Sequence, residues 1–416
     1  MLHGAALLGG ASLLGLPALH PGRLAFAAGA GDRRLLVLIN RGAMDGLGAV
    51  PAHGDPAYRS ARGAMALDPV GGGPGGVLDL DGHFGLHPAL APLHPWWASR
   101  ELGLVHAVAL PCRTRSHFDA QDALEGGAAT PHGAPDGWLN RALGRMKPRG
   151  ATPTAIGPSL PLLLQGPAAA TSVDLAHDTE LSDDLLDVIA ALYAGDPLLG
   201  PALQEGRGSM PVAQERMQEE PATMGGGGLR RRQASLRSVA TAAGALLGRA
   251  DGPRVAVLET GGWDTHSGQG TTVGRLARQL SGLAGGLEAL KAGMGAAWSD
   301  TIVVIVSEFG RTVAGNGTGG TDHGTGGVVM LCGGAVAGGV VRGEWPGLSP
   351  DRQFEGRDLL PTTDLRAVWK GVLRDHLGLD EAALAEVVFP DSAAVQPMEG
   401  LCRDGALSRP APPRSP

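Results

Sequence analysis

The sequence predicts an α/β protein whose doubly wound, mostly parallel sheet lies in a three-layer α/β/α arrangement. Two observations lead there. Four short runs, RRLLVLIN from Arg33, ELGLVHAVAL from Glu101, RVAVLET from Arg254 and TIVVIVSEF from Thr301, are almost continuously apolar. That pattern belongs to strands buried on both faces of a parallel sheet, since half-exposed strands alternate. Between the last two lies RLARQLSGLAGGLEALKAGMGAAW, in which Leu276, Leu280, Leu283, Leu287, Leu290, Met294 and Trp298 recur at three- and four-residue intervals. This is an amphipathic helix completing a βαβ unit. Its right-handed crossover makes the two strands parallel and puts their carboxyl ends on one edge, where open α/β sheets bind ligands.

In chain order, residues 1–30 run from an apolar stretch into the small-residue exit AFAAGA, as an export signal does before its cleavage site. Pro17, His20, Pro21 and Arg23 interrupt that stretch, which argues against a permanent membrane span. A basic n-region is missing, and a twin-arginine segment further upstream is expected to supply it. Residues 31–395 are expected to form one domain, with a mobile insertion at 201–236 of charged, Met-containing and glycine-interrupted composition. The stretch GGVVMLCGGAVAGGVVRGEW from Gly326 reads as two short strands joined by a glycine-rich turn, a hairpin. TTDLRAVWKGVLRDHLGL from Thr362 closes the fold as a helix with Thr363 or Asp364 at its N-cap. Residues 396–416, ending in SRPAPPRSP, are expected to be a disordered tail.

Composition excludes some functions. A formal charge of -7 leaves no basic footprint for nucleic acid. The three cysteines, Cys112, Cys332 and Cys402, show no CxxC spacing, so neither a disulfide framework nor a structural zinc site is indicated. GNGTGG, from Gly315, matches GxGxxG but runs into another loop instead of a helix, and no GxSxG elbow, P-loop or HExxH occurs.

Polar clusters follow the four strands: RGAMDG, PCRTRSHFDAQD, GGWDTH and EFGRT. Asp264 and His266, two apart on an extended segment, face the same side. GGTDHGTGG adds Asp322 and His323, and Asp45 and Glu308 stand at two further strand ends. Four carboxylates and two imidazoles suit a divalent metal ion, with zinc, manganese and calcium all open. Ser116 opens a helical turn among Arg113 and Arg115. Free N–H groups there, with the helix dipole, favour a small anionic substrate.

RGAMDGLGAVPAHGDPAYRSAR, RSHFDAQDALEGG, DGWLNRAL, GGWDTHSGQ, SEFGRTVAGNGTGGTDHGTGG and VVRGEWPGL span about residues 34–375. Together and in this order they resemble the bacterial proteins grouped as domain of unknown function 1501. Members typically carry twin-arginine export signals, and the family is similar to the alkaline phosphatase and sulfatase superfamily, whose doubly wound sheet holds two metal ions at the strand ends. The resemblance implies that Asp45 is the first-strand metal carboxylate and Ser116 the nucleophile. It likewise implies that Asp264, His266 and His323 complete one metal site. Glu308 and Phe309 depart from the superfamily's Asp-His pair for the second metal, and Arg311 could bring a positive charge there. CRTRS, from Cys112, lacks the Pro and the Arg placement of a sulfatase motif.

The expectation is an exported metal-dependent hydrolase of phosphate or sulfate esters. In it Ser116 or a water attacks while Arg115 and Arg311 steady the developing charge. The alternative is a noncatalytic envelope or secretion-associated binding protein that retains the fold.

Overall fold

The computed structural model describes residues 32–146, 150–176 and 235–403, with isolated helical positions at 190, 193, 200, 201 and 204. The export segment at 1–30 and nearly all of the insertion expected at 201–236 lie outside the described residues.

The four apolar runs form the long strands β1 (Arg34–Asn40), β4 (Leu102–Ala109), β7 (Val255–Thr260) and β8 (Thr301–Val306). β9 (Gly327–Cys332) matches β7 and β8 in length, and the shorter strands are β2 (Leu78–Asp79), β3 (Gly85–Leu86), β5 (Thr154–Ile156), β6 (Thr171–Val173), β10 (Val341–Arg342) and β11 (Thr363–Asp364). The main sheet has the order β10-β4-β9-β8-β1-β7-β5-β6, with β11 also on β4, while β2 and β3 pair apart. Central β1 is parallel to both neighbours, with Val37 opposite Val257 of β7 and Val304 of β8. Within this sheet β9 alone runs against the others.

Alternate residues of β1 enter different cores, which is what a sheet covered on both faces requires. Leu36 and Leu38 pack with helices α3 (Leu236–Gly248) and α4 (Arg275–Met294). Leu35, Val37 and Ile39 pack on the other face with α1 (His117–Gly126), α2 (Trp138–Leu143) and α5 (Leu365–Asp375). The heptad-like leucines of α4 are all buried, and the helix ends at Gly295, whose φ of 54° favours glycine. Asp364 caps α5 by accepting from the Arg366 N–H at 2.8 Å.

Two expectations change. The stretch from Gly326 is no hairpin, because β4 lies between its strands: β9 pairs with β4 antiparallel (Met330 opposite Leu104), and β10 joins β4's other side in parallel. The intervening chain crosses the amino end of β4, where Gly338 and Gly339 N–H groups donate to the carbonyls of Arg100 and Leu102. Residues 396–403, expected within the tail, are instead held on the fold: Leu401 is fully buried and Cys402 bridges to Val336, while residues 404–416 lie outside the described residues.

One irregularity prepares the site. Between His106 and Val108 the β4 register shifts, and Ala107 takes a φ of 53° in the fully buried core. A bulge of this kind redirects the end of a strand. His106 holds it, accepting from the Ala107 N–H through Nδ1 and donating from Nε2 to the Val50 carbonyl, both at 3.0 Å. Among the described residues no helix is long and apolar enough to cross a membrane.

Candidate metal centre

The segments after β1, β4, β7 and β8 meet at the carboxyl edge of the sheet. Gly42 lets two of them touch: its φ is 113°, and a Cβ there would lie 2.6 Å from the Asp264 backbone nitrogen. His117, Asp264 and His323 each offer a ligand atom, and these atoms lie within 4.8 Å of one another.

The hydrogen bonds fix which imidazole nitrogens face this point. His117 Nδ1 is 2.7 Å from Glu308 Oε1, His266 Nδ1 is 3.0 Å from Asp322 Oδ1, and His323 Nδ1 is 2.8 Å from the Arg115 carbonyl. Carboxylates and carbonyls accept, so all three Nδ1 atoms carry the proton and donate. In the neutral rings every Nε2 then presents a lone pair inward. His117 Nε2 is buried without a hydrogen-bond partner. The Nε2 atoms of His266 and His323 are only 2.9 Å apart, an arrangement of two lone pairs that needs a proton or a cation to reconcile it. Three imidazoles braced from behind and facing one carboxylate fit a divalent ion, and nitrogen-rich donor sets suit zinc.

Asp264 completes the set. Its Oδ1 accepts from Arg311 at 2.5 Å and lies 3.1 and 3.4 Å from the Nε2 atoms of His266 and His323, while Oδ2 is 3.5 Å from His117 Nε2. Burial pushes the Asp264 carboxyl up, but the Arg311 bond and charge and the adjacent imidazoles outweigh it, leaving the pKa below its ordinary value. Burial raises Glu308 as well, and bonds from His117, its own backbone, Gln121 and Gly42 bring it below the usual range. Burial lowers His323, which favours the neutral, ligand-ready ring. Phe309 stacks on His117 and lies 5.0 Å from the His323 ring, forming an apolar floor.

The expected residues divide into three groups. Asp264, His266 and His323 come together. Glu308 and Asp322 stand behind the imidazoles of His117 and His266, where they orient rings instead of reaching the centre. Asp45 is elsewhere: its Oδ2 accepts from Arg62 at 2.6 Å and Gln269 at 2.7 Å, its Oδ1 from the Gly48 N–H, and its side chain is 1% exposed. With both oxygens engaged and sealed, it does not reach the cluster.

The residues expected to handle charge are also committed. Arg311 is fully buried and donates to the carbonyls of Gly42, Ala43, Trp263 and Thr321 as well as to Asp264. Its guanidinium therefore locks the site's loops and does not face an incoming anion. Arg115 donates to Asp358 and Glu355. Ser116 is the N-cap of α1, its Oγ accepting from the Asp119 N–H at a long 3.5 Å. His117 is the donor that the sequence reading did not name as a ligand. The signal was its four-residue spacing to Gln121 on one helix face, for both side chains bond the same Glu308 oxygen.

Three solved structures show a distant likeness. The C-terminal periplasmic domain of EcEptC from Escherichia coli, in complex with Zn, aligns over 72% of this chain and 73% of its own at 10% identity and a TM-score of 0.31. The phosphonate monoester hydrolase of Agrobacterium radiobacter aligns over 84% and 74%, with 14% identity and a TM-score of 0.33. Ps i-CgsB in complex with k-i-k-neocarrahexaose aligns over 72% of this chain and 65% of its own, with 11% identity and a TM-score of 0.33. At these scores the likeness carries neither ligand nor activity across. Comparison with curated proteins gives no match. The family model described as Protein of unknown function (DUF1501) matches residues 83–385, and the chain belongs to that family.

Proposed function

We propose that the protein is an exported hydrolase of small anionic esters, phosphate or sulfate, built around one divalent metal ion, with zinc the best-suited candidate. One observation carries the reading: Nε2 atoms of three imidazoles converge beside Asp264 while every Nδ1 is engaged behind. Export is supported by the signal-like composition of residues 1–30.

In this reading His117, Asp264 and His323 hold the ion, and His266 stands beside them as a fourth donor. Such an ion supplies a Lewis acid for an ester oxygen and lowers the pKa of an attacking hydroxyl. The chain's own groups do the rest. Backbone N–H groups at the head of α1 favour the ester's negative charge, and Arg113, exposed just before them, draws it in. Ser116, weakly held as a cap, would attack phosphorus or sulfur in line: its new oxygen bond forms as the bond to the ester's alcohol oxygen breaks, the hydroxyl proton leaves with that alcohol, and water then releases the inorganic anion and restores the hydroxyl. Phe309 keeps water from one side of the centre. Glu308 holds His117 in its Nδ1–H form.

A second reading, a noncatalytic envelope or secretion-associated binding protein, draws on Arg311. It donates to the same Asp264 oxygen that faces His266 and His323, and so competes with an ion for it. Turnover decides between them. Full-length protein loaded with zinc, manganese or calcium in turn is assayed on p-nitrophenyl phosphate and p-nitrophenyl sulfate. Hydrolysis that disappears in His323→Ala and on chelation supports the hydrolase; metal-loaded protein inert on both esters favours the binding protein.

A further inference from the structure

Beneath the candidate centre lies a network of buried polar side chains that the mechanism does not use. Asp45, Arg62, Thr265, Gln269 and Thr321 are each 1% exposed or less. The Gln269 amide links the two halves: Nε2 donates to Asp45 Oδ2 at 2.7 Å, and Oε1 accepts from Thr265 Oγ1 at 2.8 Å and Thr321 Oγ1 at 2.6 Å. Asp45 fixes this orientation, because a carboxylate accepts only and so draws the amide nitrogen, turning the amide oxygen to the two hydroxyls. Arg62 anchors Asp45 from the other side and donates to the Val313 carbonyl at 2.9 Å.

The positions of the two threonines give the network its meaning. Thr265 stands between Asp264 and His266, and Thr321 immediately precedes Asp322 and His323. One oxygen atom therefore fastens both ligand-bearing turns. The turns are also laced by Arg311, which donates to Asp264 and to the Trp263 and Thr321 carbonyls, by the His266–Asp322 bond, and by backbone and rim groups: Thr321 N–H to the Thr265 carbonyl at 3.2 Å, and Asn316 and Thr318 side chains to the His266 carbonyl. Gly320 permits that contact, since a Cβ there would lie 2.3 Å from the carbonyl oxygens of Thr265 and His266. A buried ion pair adds little stability over an apolar replacement. Its distinctive contribution is geometric.

We infer that Asp45 is a positioning residue for the metal centre: it orients Gln269, which sets the spacing of the Asp264–His266 and Asp322–His323 turns and thereby the affinity for the ion. This rests on the metal reading above. It also assigns to Asp45 a task different from direct ligation.

The test is zinc affinity, by competition with a chromophoric chelator, on the full-length chain. Gln269→Met keeps length and leaves the Asp45–Arg62 pair intact; Thr321→Val removes one hydroxyl, and Thr321→Ser restores it. Zinc binding should weaken about tenfold or more in Gln269→Met and Thr321→Val, as for loss of outer-shell support elsewhere. Thr321→Ser and the core variant Leu247→Ala, which loosens the fold far from the site, should bind as the wild type does. Wild-type affinity in folded Gln269→Met and Thr321→Val overturns the inference, provided that His323→Ala abolishes binding. If Gln269→Met does not fold, the Thr321→Val and Thr321→Ser pair decides alone. If the wild type binds no zinc, the metal reading and this inference fall together.

Discussion

Asp45 and Asp264 occupy equivalent places, each in the polar segment after a central parallel strand, and each is paired with a buried arginine. They differ in what surrounds them. Asp45 has 1% of its side chain exposed and both oxygens engaged by Arg62, Gln269 and the Gly48 N–H. Asp264 has 46% exposed, and its Oδ2 looks toward an imidazole nitrogen with no other partner. A carboxylate at a strand's end is thus a ligand candidate only when no donor has already saturated it. The histidines divide the same way. His106, on the sealed side, uses both ring nitrogens on backbone groups, whereas His117, His266 and His323 keep Nε2 for the open side.

The contrast breaks most visibly at the open side. Asp264→Ala or His323→Ala should weaken zinc binding by more than about 100-fold, beyond the range for outer-shell partners, and bring ester turnover to background. Retained metal in either variant, measured by mass spectrometry of the purified protein, would falsify the assignment. Ser116→Ala comes next. If its hydroxyl attacks, kcat should fall about a thousandfold or more, while loss of the cap lowers unfolding free energy by only about 1 kcal/mol. A variant that loses the stability and keeps the turnover leaves Ser116 as a cap alone.

The sealed side should answer in stability. Asp45→Ala strands Arg62 in the interior, a change that costs about 3–5 kcal/mol when a buried pair is broken. Urea unfolding of metal-free protein checks this, and a loss no larger than that of Asp264→Asn would erase the distinction between the two carboxylates. The sealed side should also answer to acid, with an effect of similar size. Burial lowers His106 and His376 from 6.5 to about 4, with a backbone hydrogen bond only partly opposing it. The unfolded chain binds protons that the folded chain refuses between these values, so stability falls as pH drops from 6.5 toward 4 and levels off below. Each ring accounts for about 3 kcal/mol over that window. His106→Gln should flatten the slope measured by denaturant titration at successive pH values, and an unchanged slope would show that His106 does not titrate there.

How much of this was legible follows from what each signal needs. Continuous apolar runs gave β1, β4, β7 and β8, and helical spacing gave α4, because those signals are local and long. Strands of two or three residues, such as β5, β10 and β11, carry no period to read. The hairpin expectation failed because nothing within residues 326–345 announces that β4 will insert between β9 and β10. At the site, Asp264, His266 and His323 were visible as polar residues on glycine-padded turns. Asp45 looks the same in sequence, and what ties it down away from the centre is Arg62 and the Gly48 N–H together with Gln269, 224 positions away. Arg311 resembles a free charge in sequence for the same reason: its carbonyl partners come from three separate segments.

The most direct test of the account is a crystal of zinc-loaded protein with anomalous scattering recorded at the zinc edge. One strong peak is expected about 2.0–2.2 Å from His117 Nε2, His323 Nε2 and an Asp264 oxygen, with Asp45 still bonded to Arg62 and Gln269. A peak at Asp45, or no peak among the three imidazoles, would contradict it.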